Sequence, residues 1–276
     1  MSQQVGSWAR IMAPVVGGDI DVGILHAAAL LAAPFSAELA AVYAPADVAD
    51  VLPWMGEGFM GGIQVTAIES LKEAAAEGER LARAALEAVD YPHKSLTALN
   101  SPVWSALAME SRLSDLVVFD DASARGRGPL AESFQQMVGD EQRPILVARP
   151  GLRADGCVAV AWDGGKEASR AARTALPLLQ KAGRVVIIAA PKASSRYFEP
   201  ERLRGFFAAR GVKAEIYPIE GGGDVVSLLV NAAKQVSANL LVAGAFGHPR
   251  LQEFIFGGTT RSLLNTDDAP SLFLSH

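Results

Sequence analysis

A single cysteine, Cys157, leaves the 276-residue chain without an internal disulfide. That excludes the stapled architecture of small secreted domains. Cys157 opens the apolar run CVAVAW, so a buried, inert thiol is expected there. Histidine is scarce too: His26, His93, His248 and His276 lie far apart, and no His or carboxylate cluster reads as a metal site. No apolar run reaches the roughly 18 residues that span a bilayer. The opening MSQQVGSWAR lacks the basic start and apolar core of a secretory leader. Basic charge is also short, with 25 Lys and Arg against 30 Asp and Glu and a net charge of −5. Nucleic-acid binders carry a dense basic face. SARGRG, with Arg125 and Arg127, is the one local candidate, and a solvated loop accounts for it. The expectation is a cytoplasmic protein with neither a membrane nor a nucleic-acid partner.

Catalytic signatures are missing as well. There is no Gly-x-x-x-x-Gly-Lys-[Ser/Thr] loop, no Gly-x-Ser-x-Gly elbow and no Gly-x-Gly-x-x-Gly turn after the first strand. The Ser-Gly-Gly-x-Asp-Ser signature of pyrophosphate-splitting synthetases is absent too. No residue is assigned a catalytic role.

What the chain has is one pattern written twice. In the second copy, CVAVAW (157–162) reads as a buried strand ended by DGG, and KEASRAARTALPLLQKAG follows as a helix. Pro177 is expected to kink that helix and Gly183 to cap it. RVVIIAAP is a second strand, a helical stretch lies near 200–210, and VKAEIYPI is a third strand. Asp224 caps the next helix, NLLVAG is the fourth strand, and PSLFLS closes the copy. In the first copy ARIMAPVVGG, AELAAVYAPA, SDLVVFD and PILVAR occupy the same places, with Ser101 and Pro102 opening a helix. Strands alternating with helices specify α/β folding: two tandem doubly wound, Rossmann-like domains. Each is expected to be a mostly parallel five-stranded sheet of order 3-2-1-4-5, with helices on both faces. Pro150, Gly151 and Gly156 punctuate the boundary, giving domains 1–150 and 151–276. Val16 stands 147 positions before Asp163, but Asp115 only 124 before Asn239, so the first copy carries 23 extra residues. They fall in LPWMGEGFMGG and the long helix after it. Trp54, Met55, Phe59 and Met60 there pack over the neighbouring half or form a self-association surface.

In such a sheet a ligand sits beyond the strand ends where the order reverses, between the first and fourth strands. Asp163 ends the first strand of the second copy, and Gly244 ends the fourth. GAFGHPRLQEFIFGGTT (244–260) follows, leading to a helix expected to start near Thr259 or Thr260. Gly244, Gly247, Gly257 and Gly258 let the backbone come close to a ligand. Free amides in such turns form an anion-binding concavity, and a helix N-terminus adds its dipole. Thr259 and Thr260 add hydroxyl donors or merely cap the helix. A carboxylate at Asp163 suits sugar hydroxyls or an exocyclic amine. Phosphate at one end and sugar or base at the other describe a nucleotide.

DGG after a first strand, then Gly-x-x-Gly, nine residues and Gly before hydroxyl residues, resembles the universal stress protein family in its tandem form. The resemblance implies an ATP or related ADP or AMP site, with magnesium as a conceivable companion. By it, Asp163 and Gly164 meet the adenosine, and backbone near Ala190 lies beside the base. Gly244, Gly247, Gly257, Thr259 and Thr260 surround ribose and phosphates. Gly258 departs from the family's usual Ser or Thr, and Phe246 and His248 from polar or basic residues. His248 can donate to a phosphate when protonated or serve the loop's structure. In the first copy Asp120, Ser123 and Ala131 replace Gly244, Gly247 and Gly257, and Val16 replaces the carboxylate. Asp120 and Asp121 would repel phosphate, so one nucleotide per chain is expected. The implied role is a regulatory nucleotide-binding module in stress response. A slow ATPase or phosphotransferase and a nucleotide-free scaffold remain as alternatives. The halves are expected to pack as a pseudo-dimer, and pairing of whole chains into a homodimer stays open.

Overall fold

The computed structural model describes residues 7–45, 61–99, 103–189, 199–219, 223–245 and 258–276. The expectations for Ser101, Pro102 and the Trp54–Met60 stretch lie outside the described residues.

The first half contributes strands β1 (Arg10–Val15), β2 (Glu38–Tyr43), β3 (Lys94–Ala98), β4 (Leu116–Asp120) and β5 (Ile145–Ala148). The second contributes β6 (Cys157–Trp162), β7 (Arg184–Ala189), β8 (Ala214–Pro218), β9 (Leu240–Gly244) and β10 (Ser271–Ser275). Leu116 through Phe119 are buried without a break, as are Leu240 through Ala243. Consecutive buried residues in a strand require cover on both sheet faces. The cover comes from α1 (Ile20–Ala32), α2 (Gly61–Glu87), α3 (Val103–Arg112), α4 (Asp121–Ala124) and α5 (Ala131–Gly139). The second half supplies α6 (Lys166–Thr174), α7 (Leu176–Lys181), α8 (Pro200–Ala208), α9 (Val225–Gln235) and α10 (Gly258–Asn265). Among the described residues, no helix is long and apolar enough to cross a membrane.

Local chemistry explains some element ends. Asp224 caps α9 by accepting from the Ser227 amide at 2.9 Å. Pro177 breaks the expected single helix into α6 and α7, because it cannot donate into the first helix's ladder. Gly183 does not cap α7: Ala182 does, and Gly183 has no side chain because a Cβ would fall 2.4 Å from the Asp155 carbonyl oxygen. Cys157 is half-buried rather than fully buried, with its thiol pKa pushed up by desolvation.

Each half keeps the order 3-2-1-4-5, but the two sheets expected as separate are one. The full order is β3-β2-β1-β4-β5-β10-β9-β6-β7-β8. Neighbours within a half run parallel, and β5 and β10 join antiparallel. Each last strand would otherwise offer a row of unpaired backbone groups at an apolar edge, and pairing the two satisfies both. Register also corrects the alignment of the repeats. Ile145 pairs with Val117, and Leu272 with Leu241, so the counterpart of Ile145 is Leu272 rather than Ser271. Leu146 and its counterpart Phe273 then face each other, which puts the pseudo-twofold axis between them. Trp8 crosses the junction, with its ring parallel to Phe273 at 6.3 Å and tilted against Phe35 at 5.1 Å. A single core cluster includes buried residues of both halves.

Candidate functional site

Six of the ten expected site residues are described: Asp163, Gly164, Gly244, Gly258, Thr259 and Thr260. Ala190, Gly247, His248 and Gly257 lie outside the described residues.

β6 and β9 are hydrogen-bonded neighbours, pairing Val160 with Val242, so their carboxyl ends stand side by side at the order reversal. Past β6 the exposed Asp163 bends back, and its Oδ1 accepts from the Gly165 amide at 2.8 Å. Gly164 takes φ +74°, which a side chain would resist. α6 starts directly after Gly165 and packs over β9 and β10. Gly244, the last residue of β9, lies beneath it. A Cβ there would fall 2.5 Å from the Ala168 nitrogen and the Glu167 carbonyl carbon. The helix above already requires this glycine, whereas the sequence reading gave the space to a ligand.

α10 begins at Gly258, one or two residues earlier than expected, so this position brings a first-turn backbone amide and no hydroxyl. Gly258 and Thr259 are exposed and Thr260 is buried. The other end of α10 is held from the first half. Arg149, just past β5, donates to the Leu264 carbonyl at 2.6 Å and to those of Thr266 and Ala269 at 3.2 Å. Its Nε pairs with Asp121 at 2.6 Å. Burial pulls the Arg149 pKa down, and Asp121 opposes that shift. A cation on the last carbonyls of a helix complements its negative end. In sequence, Arg149 read as a boundary residue, because nothing local signals that its carbonyl acceptors lie more than a hundred residues away.

The first half repeats the frame with the space filled. Gly17, with φ +73°, matches Gly164. Here the loop amides meet an internal carboxylate. Val16 donates to Asp21 at 2.9 Å, Gly17 at 2.8 Å and Gly18 at 3.2 Å. Asp21 is fully buried, and its counterpart in the second half is Ala168. α2 closes in from above, where a Cβ on Gly17 would lie 2.4 Å from the Gly78 Cα. Past β4, Asp120 caps α4 through the Ser123 amide at 2.9 Å, and Asp121 pairs with both Arg149 and Arg125. Free acidic repulsion is therefore not what distinguishes this half, since one carboxylate is a cap and the other is neutralised. Arg125 is no solvated loop cation either, since its side chain is 12% exposed and also pairs with Asp267. Ala131 opens α5 as Gly258 opens α10, so it stands opposite Gly258 rather than Gly257.

A cavity of about 280 Å³ opens beside the β6–α6 loop. Trp162, Gly164, Ser169, Ala172 and Arg173 line it from β6, the loop and α6, and Arg202, Leu203 and Phe206 from α8. Among the described residues, none of its lining comes from β9 or α10.

No family model matches the sequence, and no curated protein matches it. Solved structures do match. A universal stress protein from Archaeoglobus fulgidus DSM 4304 superposes with a TM-score of 0.64 at 13% identity, covering 96% of this chain and 95% of its own. A protein of unknown function from Pseudomonas aeruginosa PAO1 gives 0.55 at 16% identity, over 97% and 92%. A provisionally named universal stress protein from Pseudomonas aeruginosa UCBPP-PA14 gives 0.54 at 16%, over 97% and 93%. Matches spanning both halves of this chain and nearly the whole of each neighbour establish the architecture: the chain has the universal stress protein fold in its tandem, two-unit form.

Proposed function

We propose that the second half binds one adenine nucleotide per chain, ATP foremost with ADP or AMP as alternatives, beyond the carboxyl ends of β6 and β9. Occupancy then adjusts conformation or assembly in a stress response. One observation carries the reading, the asymmetry between the halves. Asp21 satisfies three loop amides in the first half, whereas in the second Ala168 takes its place and Asp163 takes the Gly165 amide. Asp163 takes sugar hydroxyls or the exocyclic amine of the base, beside the Gly164 backbone. The Gly258 and Thr259 amides, at the positive end of α10, take phosphate oxygens, with Gly244 and the buried Thr260 beside them. Ala190, Gly247, His248 and Gly257 complete the proposed set, and magnesium would accompany a triphosphate.

One observation favours a different reading, a nucleotide-free scaffold. Gly244 is already required by the overlying α6, so that glycine needs no ligand to explain it. Denaturing freshly purified protein and running the released small molecules on anion exchange separates the two. Near one equivalent of adenine nucleotide, lost in Asp163→Ala, is the expected result. An empty protein that also gives no calorimetric heat with ATP would leave the scaffold.

A further inference from the structure

We propose that the outward face of α1 is a docking surface for a second copy of this chain, the two α1 helices lying antiparallel about a twofold axis beside His26 and Ala27. That face lacks charge. Between Ile20 and Phe35 the one charged side chain is Asp21, and it is fully buried. What α1 exposes is Val22, Gly23, His26 and Leu30, with Ala27 partly exposed and Ala33 exposed just beyond. Val22 is 45% and Leu30 40% exposed. At about 100° per residue these six residues share one stripe of the helix. A helix apolar all round belongs between two partners, and the sheet covers one side. The repeat gives an internal comparison. The 147-residue offset places Arg170, Arg173, Gln180 and Lys181 opposite Gly23, His26, Ala33 and Pro34, and all four are exposed. The second half dresses this position for water, and the first half does not.

Spacing, shape and charge each point to a second copy as the occupant. Gly23, His26, Leu30 and Ala33 recur at intervals of three, four and three, the seam along which two helices interlock. An antiparallel pair centred between His26 and Ala27 sets Leu30 of each copy opposite Gly23 of the other. A Cβ on Gly23 would meet nothing within 4 Å, so the face offers both the knob and the hole. The ends match as well. Asp19, just before α1, is exposed and makes no capping hydrogen bond. At the other end the Lys181 ammonium lies 5.8 Å from the Phe35 ring centroid, and Lys181 borders one depression with Leu30 and Pro34. Antiparallel pairing brings Asp19 of each copy towards Lys181 of the other, twice over by symmetry. One helix pair buries less than the roughly 1,600 Å² of a standard interface, so association belongs in about the micromolar range. The proposal does not rest on the nucleotide reading, which concerns the second half alone.

Sedimentation velocity of the full-length chain from about 1 to about 200 µM tests it, and a monomer–dimer equilibrium is expected. The double variant Gly23→Arg, His26→Arg writes the second half's own residues onto the face and should stay monomeric over that range. Both positions are exposed, and replacing a helix-interior glycine favours the helix. Its circular dichroism spectrum should therefore match that of the native chain, and dilute samples of the two should melt alike or the variant slightly higher. Asp19→Lys and Lys181→Asp should each weaken the dimer by about tenfold, and the two combined should restore it. Only an antiparallel pair gives that restoration. Three results would overturn the proposal: a native chain still monomeric at about 200 µM, a dimer that survives the two arginines, or a reversed charge pair that fails to restore association.

Discussion

Asp21 shows how one side chain can stand where a ligand would otherwise be needed. Its carboxylate collects three backbone amides, yet burial outweighs those bonds and raises its pKa. The folded chain therefore holds this proton to a higher pH than the unfolded chain, where an aspartate titrates near about 3.9. Its contribution to stability is complete below that value and is lost as pH rises through the raised folded value. Urea unfolding of the native chain and of Asp21→Asn across a pH series should show this. The native chain's advantage should be largest at the acid end and shrink towards neutrality, a trend opposite to that of an ordinary paired aspartate. A constant difference would mean that Asp21 titrates alike in both states. None of this is legible in VVGGDID, where an aspartate near a helix start reads as a cap. The matching φ of Gly17 and Gly164, by contrast, is foreshadowed by the doubled GG. Gly244 stands out in sequence as a ligand-loop glycine, and the overlying α6 supplies a separate reason for it, since spacing marks a glycine but cannot say whether helix or ligand occupies the space.

At the scale of elements, the grip on α10 is the feature that links the halves. The eight-residue helix has its N-terminus at the candidate site, and Arg149 from the first half holds its Leu264 carbonyl and those of Thr266 and Ala269 in the turn beyond. Only 4% of the Arg149 side chain is exposed, and among the described residues Asp121 is the carboxylate it pairs with. Arg149→Met removes that cation and leaves Asp121 half-buried beside Arg125, and the Leu264, Thr266 and Ala269 carbonyls lose its donors, Thr266 keeping the Ala269 amide. Cutting one partner from a buried pair costs about 3–5 kcal/mol. The figure here belongs at or below the lower end, about 2–3 kcal/mol, because Asp121 keeps Arg125. Chemical denaturation of Arg149→Met, Asp121→Asn and the double variant checks it. The double variant should cost clearly less than the two single losses added together. Strict additivity would show that the two side chains act independently. Asp224 is the opposite case, since it acts on backbone within four residues and announced a helix start correctly, and Pro177, expected to kink one helix, acts as locally but divides it in two.

For the whole molecule, the repeat was visible and the join was not. Alternating strands and helices, and an offset that falls from 147 to 124, already carry the order 3-2-1-4-5 in each half. ILVA and SLFLS are equally good as covered edges, as faces of a packed pair or as halves of a seam. Edge-to-edge pairing is decided by shape and twist over distances that no local pattern encodes. The seam has a thermodynamic consequence. β5 and β10 share hydrogen bonds, Trp8 packs on Phe273, and Arg149 ties the two sides together, so neither half can unfold without exposing core surface of the other. The chain should unfold in one step. Variants retaining only Trp8 or only Trp162 as the fluorescent reporter, compared with the helical circular dichroism signal in urea, should give coincident midpoints. Phe273→Ala, at a fully buried position on the pseudo-axis, should lower both reporters' midpoints together by about 3–5 kcal/mol of stability. Separated midpoints, or a Phe273→Ala loss confined to the Trp162 reporter, would mean that the seam holds two independently stable units, with the continuous sheet only a contact between them.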